Sequence, residues 1–599
     1  MKKQLLMTAF YLFAGCWMLV NAQTRVVRIS DMADLEKYIQ WVDVDGYLLI
    51  EENTARPFQQ SLFREGVQVM EGWPVSFSGS SNRGGIFANL DEDPELEVIY
   101  NISAKTYALN IDGTDVTGWP KQVASTAEYD APAFGDIDGD GIEEIVVSCV
   151  QPGTQNSGKI YAFEKDGTTV TGFPVTPPGG PTRTPVLADL DGNGTLEIVV
   201  ELRSYPDGKV CVFQGDGSIM NGWPQNMDYI PASAPAVGDI TGDGIPEIVA
   251  ESYYQVWAFH SDGTVVEGFP YIPAGSGRVF SYSSPILADF DNDGFREIVV
   301  GDHSLSSGNG AIHVIKSDGT IYPGWPRFTQ QWIYGPASVA DIDGDGSLDI
   351  LVGDQVLSGA PASKVYGWKQ DGTNLDGFPI GPIWSVNSQI IVADLDGDLL
   401  PELMFDDNTG SGIINGYNHN GTMMDGWPIS VNGSSFFCNP FVLDVEGNGT
   451  LNISANSYDS NSLKTFLYLW ETDVPYNQEL AILPVLGYNV MHTGVYGDNH
   501  TPTVGVTEHN DLATIEMKCS PNPCRSNTSL NISLEKAGNV HLFVFDSRGV
   551  LLREIHPGIL EMGKHNISLD VSDLRPGIYS VSTFIDESNS GNCKIIKFN

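Results

Sequence analysis

Oxygen-donor side chains recur at the first, third, fifth and ninth places of a nine-residue segment repeated along the chain. The sets are Asn89, Asp91, Asp93 and Glu97; Asp136, Asp138, Asp140 and Glu144; Asp189, Asp191, Asn193 and Glu197; and Asp239, Thr241, Asp243 and Glu247. They continue as Asp289, Asp291, Asp293 and Glu297; Asp341, Asp343, Asp345 and Asp349; and Asp394, Asp396, Asp398 and Glu402, with a weaker eighth copy from Asp444 to Asn452. Hard divalent cations, Ca²⁺ above all, take six to eight such oxygens in a flexible shell. Alternate spacing turns the first three donors toward one point, and Gly141, Gly194, Gly244, Gly294 or Gly346 permits the tight bend that follows. The seventh residue varies (Ile142, Thr195, Ile245, Phe295, Ser347), as expected of a place that supplies only its carbonyl. An EF-hand would put its last carboxylate at place twelve and run on into a helix. Here the acid is at place nine and strand formers follow, so that reading is rejected.

The elements that must position these donors repeat with them. Runs such as Ile145–Val147, Ile198–Val200, Ile298–Val300 and Ile350–Val352 come directly after the loops, whose starts lie 47 to 53 residues apart. A period near fifty points to a solenoid, propeller or array. A Gly-aromatic-Pro mark keeps step with it, at Trp73, Trp119, Phe173, Trp223, Phe269, Trp325, Phe378 and Trp427. An aromatic supplied once per unit is expected to pack between neighbouring sheets. The second unit reads as four strands, Ala131–Gly135, Ile145–Ser148, Lys159–Glu164 and Thr168–Phe173. Four strands in each of eight units make an all-β, eight-bladed propeller, or seven blades with one unit outside the ring. Val67–Met70 or Leu480–Leu486 would supply the joining strand.

These loops resemble the FG-GAP or VCBS repeat of integrin-α-like β-propellers, and Phe134-Gly135 before Asp136 even carries the "FG". The resemblance covers residues 61–496 and implies about seven, at most eight, structural Ca²⁺ ions. Two copies depart from the pattern. The first has Asn89 at its first place and Pro94 where glycine is expected, and the last replaces acids by Asn448 and Asn452.

Composition sets bounds. A net charge of −45 disfavours nucleic acid and anionic lipid as partners, while 41% hydrophobic content excludes a disordered acidic chain. Residues 1–22 have the charged, apolar and small-residue regions of a signal peptide, and no later segment is long and apolar enough to span a bilayer. Export would expose the loops to millimolar calcium. Residues 23–60 fall outside the repeats; Asp31 is placed to cap a short helix carrying Leu35, Tyr38, Ile39 and Val42. Cys149, Cys211 and Cys438 read as buried apolar residues within strands, and the pairing of Cys519, Cys524 and Cys593 stays open.

Beyond a polar linker at 497–512 the rhythm changes. Residues 513–599 alternate as a small β-sandwich, with strands at Leu530–Leu534, His541–Asp546, Val550–Ile555, His565–Leu569 and Gly577–Thr583. Pro521–Pro523, Val544–Gly549, Leu574–Tyr579 and Lys594–Phe598 resemble the type A C-terminal sorting domain of the Bacteroidetes type IX secretion system. That resemblance implies a secreted or cell-surface protein whose tail engages the secretion machinery.

No nucleophile elbow, zincin helix or phosphate loop occurs, so no catalytic residues are assigned. His260 and His313 fall in predicted strands as structural histidines. The loops entering each innermost strand carry Tyr129, Arg183, Tyr229, Arg278, Tyr282, Trp332, Tyr334 and Trp384. Exposed aromatics and arginines suit contacts with glycan or protein, although several are expected to plug the central channel. The reading is a calcium-stabilised recognition or adhesion module. A propeller-fold polysaccharide lyase and an architectural surface component are the alternatives.

Overall fold

The computed structural model describes residues 67–498 apart from short internal stretches, most of 518–597, and the backbone of the paired strands Tyr38–Val42 and Leu48–Glu52. The expected signal peptide, most of the linker and Tyr129 lie outside the described residues. Tyr38–Val42 is a strand rather than part of a helix: Ile39, Trp41 and Val42 favour extended backbone, and Leu48–Glu52 pairs with them in register.

One repeat shows how the loops are held. In the fifth, the three-residue strand Ile286–Ala288 leads into the acidic loop, and Glu297–Ser304 returns antiparallel with Ala288 opposite Glu297. Gly310–Ile315, Arg327–Phe328 and Arg278–Phe280, the last paired with the far end of Glu297–Ser304, complete the sheet. Glu297–Ser304 is buried at every position, because sheet faces packed on both sides call for a continuous apolar run instead of alternation. The acidic loop and the loop entering Ile286–Ala288 therefore leave opposite ends of the inner strand.

Among the described residues, 67–498 form eight such sheets and no helix. In the last, Phe441–Leu443, Thr450–Asp459 and Lys464–Pro475 are joined by Val67–Val69 and Val75–Ser78 from the other end of the chain. Where a fourth strand forms it follows the Gly-aromatic-Pro mark, as at Gln225–Met227 and Arg327–Phe328, and does not precede it as Thr168–Phe173 had suggested; the second and fourth sheets have three strands. Thr168–Phe173 is instead a bridge and turn, broken by Gly172 at φ +99.

The repeated aromatics pack between sheets as expected, each 6–9% exposed. Trp73, Trp119, Trp223 and Trp325 donate their indole N–H to the carbonyls of Ile111, Lys165, Ser261 and Gln370 in the following repeat, at 2.7–3.0 Å. The preceding glycines let backbones meet. A Cβ on Gly72, Gly118 or Gly222 would stand 1.9–2.2 Å from the carbonyl oxygen of Asp112, Asp166 or Asp262. Trp73 and Gly72 flank the eighth sheet while Ile111 and Asp112 belong to the first, and Phe87 meets Phe441 at 4.5 Å across the same boundary.

Inner strands present one edge with unpaired N–H groups, which need acceptors. The segment 480–498 supplies them. Val392 bonds Leu483, Val442 bonds Pro484, Phe134 bonds Val490, Leu187 bonds Met491, Val237 bonds Thr493 and Leu287 bonds Gly494, while the Tyr488 hydroxyl takes the N–H of Val339. Leu480–Leu486 is therefore not the joining strand; Val67–Val69 is. Six of the inner strands thus donate to main-chain carbonyls of this segment and a seventh to a tyrosine hydroxyl.

Residues 506–599 form the second unit. Lys518–Ser520, Asn527–Leu534 and Gly563–Asp570 make one sheet; Leu551–Leu560, Gly538–Phe545, Gly577–Ile585 and Ser588–Lys597 make another. Leu530, Ile532 and Leu569 of the first share a buried cluster with Leu542, Val544 and Val581 of the second.

Candidate functional site

Each acidic loop is wound by its own carboxylates. In the second, Asp136 accepts the N–H groups of Gly139 and Gly141 at 2.7 and 3.0 Å, Asp138 that of Asp140 at 3.2 Å, and Asp140 that of Ile142 at 2.8 Å. Gly141, Gly194, Gly244, Gly294 and Gly346 take φ between +86 and +92. The seventh loop makes the same bend with Leu399 at φ +70. Ligand atoms of Asp394, Asp396, Asp398 and Glu402 lie within 4.8 Å of one another. So do those of Asp91, Asp93 and Glu97; Asp136, Asp138 and Glu144; Asp189, Asp191 and Glu197; and Asp289, Asp291 and Glu297.

The ninth-place carboxylate shows the electrostatic problem such a cluster creates. Its Oε2 accepts a backbone N–H from the loop's second residue, as Glu144 does from Ile137 and Glu402 from Leu395, both at 2.8 Å. The other oxygen, Oε1 of Glu144 and Glu402 and Oδ1 of Asp349, is buried without a hydrogen-bond partner. Burial, reinforced by the neighbouring loop carboxylates, pushes Glu97, Glu144 and Glu402 up to about 8, and Glu197, Glu297 and Asp349 up to about 7. An orphaned buried oxygen among convergent acids fits a hard cation. When bound, Ca²⁺ would supply the missing positive charge and tie the loop's first and ninth residues together.

The loops are not alike. Asn89 donates its amide to the carbonyls of Asp93 and Glu95 at 3.2 and 3.5 Å, turning an N–H where the other loops present oxygen. Asn452 directs its amide at Met70 Sδ, and Asn448 donates to Glu446. In the fourth loop Thr241 donates to Glu247 at 3.2 Å, and His260 Nδ1 lies 3.1 Å from the same carboxylate oxygen. His260 stands past the end of its strand, half-exposed, and so is not a core histidine. His313 is one: it is buried between Asp302 at 2.8 Å and the Tyr271 hydroxyl at 2.9 Å. Lys369 bonds both Asp343 and Asp345 of the sixth loop.

At the opposite end of the inner strands the rim residues sort into groups. Arg183 lies over the Tyr282 ring at 5.3 Å, Tyr282 stacks on Tyr334 at 4.7 Å, and Trp332 sits between Tyr334 at 6.4 Å and His303 at 4.3 Å. Arg278 is drawn into a bidentate ion pair with buried Asp302, and Trp384 is half-buried. Tyr229 is one of four clustered tyrosines, 6.2 Å from Tyr205, 5.7 Å from Tyr253 and 5.3 Å from Tyr254. Tyr205 and Tyr254 are 65% and 46% exposed. Sequence reasoning missed three of the four, because they sit in the hairpins between second and third strands rather than in the entry loops. The doublet Tyr253-Tyr254 was the available signal.

Beneath this rim two carboxyls face each other from adjacent sheets. Glu201 accepts the Ser233 hydroxyl and the Glu251 N–H, both at 3.0 Å, and neither Glu251 oxygen has a hydrogen-bond partner. Burial pushes Glu201 up to about 8 and Glu251 well above the carboxylate range.

The FG-GAP-like repeat pattern matches residues 136–200, 239–300 and 289–352, and that of the secretion system C-terminal sorting domain matches 518–597. The chain carries FG-GAP-like repeats and a type IX secretion sorting domain. The sorting domain marks proteins carried by type IX secretion to the cell surface or extracellular space, and it implies contact with that machinery. The FG-GAP matches take in the second to sixth acidic loops, leaving the two aberrant copies and the seventh outside.

No curated protein matches the sequence. Among solved structures, the V. cholerae biofilm matrix protein Bap1 is similar at 14% identity over 78% of this chain and 81% of that one, with a TM-score of 0.30. BBS1N in complex with ARL6DN is 10% identical over 51% of this chain and 96% of its own, with a TM-score of 0.32. An exo-beta-1,3-galactanase from Phanerochaete chrysosporium is 8% identical over 83% and 98%, with a TM-score of 0.24. Scores this low assign neither an architecture nor an activity.

Proposed function

We propose that this is an exported recognition or adhesion protein: an eight-bladed, calcium-stabilised propeller over residues 61–496, preceded by a signal peptide at 1–22 and a segment at 23–60. A linker at 497–512 leads to the sorting domain at 513–599. The eight-bladed reading is supported by the contacts between the eighth sheet and the first. It is supported too by the path of residues 483–494, which meet sheets seven, eight, two, three, four and five in that order. The calcium reading draws on the buried, partnerless oxygens of Glu144, Asp349 and Glu402.

The observation that carries recognition is the tyrosine cluster. Tyr205, Tyr229, Tyr253 and Tyr254 offer rigid rings with polar tips at the end of the blades away from the cations. Such rings stack on sugar faces or fill protein pockets at little entropic cost. A glycan array probed with the calcium-loaded protein and with a Tyr205→Ala/Tyr254→Ala variant tests this. Retention by the parent and loss by the variant are expected; equal retention by both would reject the cluster as the site.

The lyase alternative has one observation in its favour, the Glu201–Glu251 pair near Arg183. Both carboxyls are sealed from solvent, so substrate would reach them only if the rim opened. Release of unsaturated uronate from an acidic polysaccharide would overturn the non-catalytic reading.

A further inference from the structure

We infer that one residue per repeat, the first after the third strand, grades the cation affinity of the acidic loop beside it. The inference rests on the calcium reading of those loops. The residues are Asn110, Glu164, Gln214, His260, Lys316, Lys369 and Asn418, each starting the turn that precedes a Gly-aromatic-Pro mark. Four loops, the second, fifth, sixth and seventh, hold the same complement of four acids and look equivalent in sequence. This neighbouring position separates them.

In the sixth loop the Lys369 ammonium is 2.8 Å from Asp345 and also bonded to Asp343, the third- and fifth-place donors. In the fifth, Lys316 stands 3.7 Å from Asp291. Both ammoniums occupy the field a cation would use, and a cation must displace or repel them. In the second loop the same position is an acid. Glu164 follows the third strand at the place Lys369 holds beside Asp343 and Asp345 in the sixth repeat. In the seventh, Asn418 is neutral and its amide donates to Thr422 at 2.9 Å. The order of affinity is therefore second, then seventh, then fifth and sixth. A unit charge a few ångströms from a divalent ion at a half-exposed site supports about a hundredfold spread across that series. The blades then fill in sequence as calcium rises, instead of together.

The mature full chain is dialysed against buffers of graded free calcium, and bound calcium per chain is counted by atomic emission. Lys369→Met should move one equivalent about tenfold toward lower calcium, and Lys316→Met should do so for a second. Glu164→Gln should move the tightest equivalent the other way. All three side chains reach solvent, so folding is not at stake. Binding curves that are unchanged in all three variants, while the parent still takes up several ions, would overturn the grading and leave the calcium reading intact. A parent that binds no calcium at any concentration would instead overturn that reading, and the grading with it.

Discussion

The acidic loops leave one end of the inner strands and the entry loops arrive at the other, and the two ends are built on different principles. At the loop end the repeats solve one problem with nearly one set of residues, winding carboxylates around a point and leaving a buried oxygen such as Glu402 Oε1 without a partner. At the entry end no two loops agree. Arg278 is absorbed by Asp302, Tyr282 and Tyr334 stack on each other, and Tyr229 gathers three more tyrosines. Sameness across repeats marks what every sheet needs to stand beside the next. Difference marks where one sheet has been released from that need, and a ligand site is expected there.

The sharpest way to break this contrast is to remove an aromatic from each class. Trp223, buried between sheets and bonded to Ser261, should cost about 3–5 kcal/mol when changed to Ala. Tyr205→Ala should cost less than about 0.5 kcal/mol while abolishing glycan retention. Urea unfolding measures both, and equal costs would erase the distinction. A smaller effect is expected of Glu402→Ala. It should remove one bound cation and about 0.4–1.4 kcal/mol at millimolar calcium, and this calcium-dependent part of the loss should vanish under chelation.

The entry end makes its own pH prediction. Burial pushes Glu201 up to about 8 and, with Asp406 adjacent, Asp407 up to about 7. A carboxyl whose pKa is higher folded than unfolded binds more protons in the folded state between the two values, so stability falls as pH rises through that window. The calcium-saturated protein should lose stability between about pH 4.5 and 8, and Glu201→Gln should flatten part of that slope. A slope identical in the variant would remove Glu201 from the account.

Much of the loop end could be read in the sequence because donor spacing, the glycine at place six and the strand that follows are all local. The rest depended on contacts that spacing does not encode. Lys369 reaches Asp343 from the turn after another strand, and Tyr205 and Tyr253 meet Tyr229 from different hairpins. Residues 480–498 are interrupted by Pro484, Gly487 and Gly494, which hides how they meet one inner strand after another through one or two bonds each. The fourth strand was misplaced because residues 168–173 look extended until Gly172 is seen to turn left-handed.

The proposed calcium reading has cations drawing the acidic turns together, and thermal unfolding with and without chelation, on samples whose bound calcium has been counted, tests that most directly. Several occupied loops together contribute about 3–10 kcal/mol at millimolar calcium, so exhaustive chelation should lower the melting temperature by about 10 °C and readdition should restore it. An unmoved melting temperature in protein shown to have held and then lost its calcium would contradict the account.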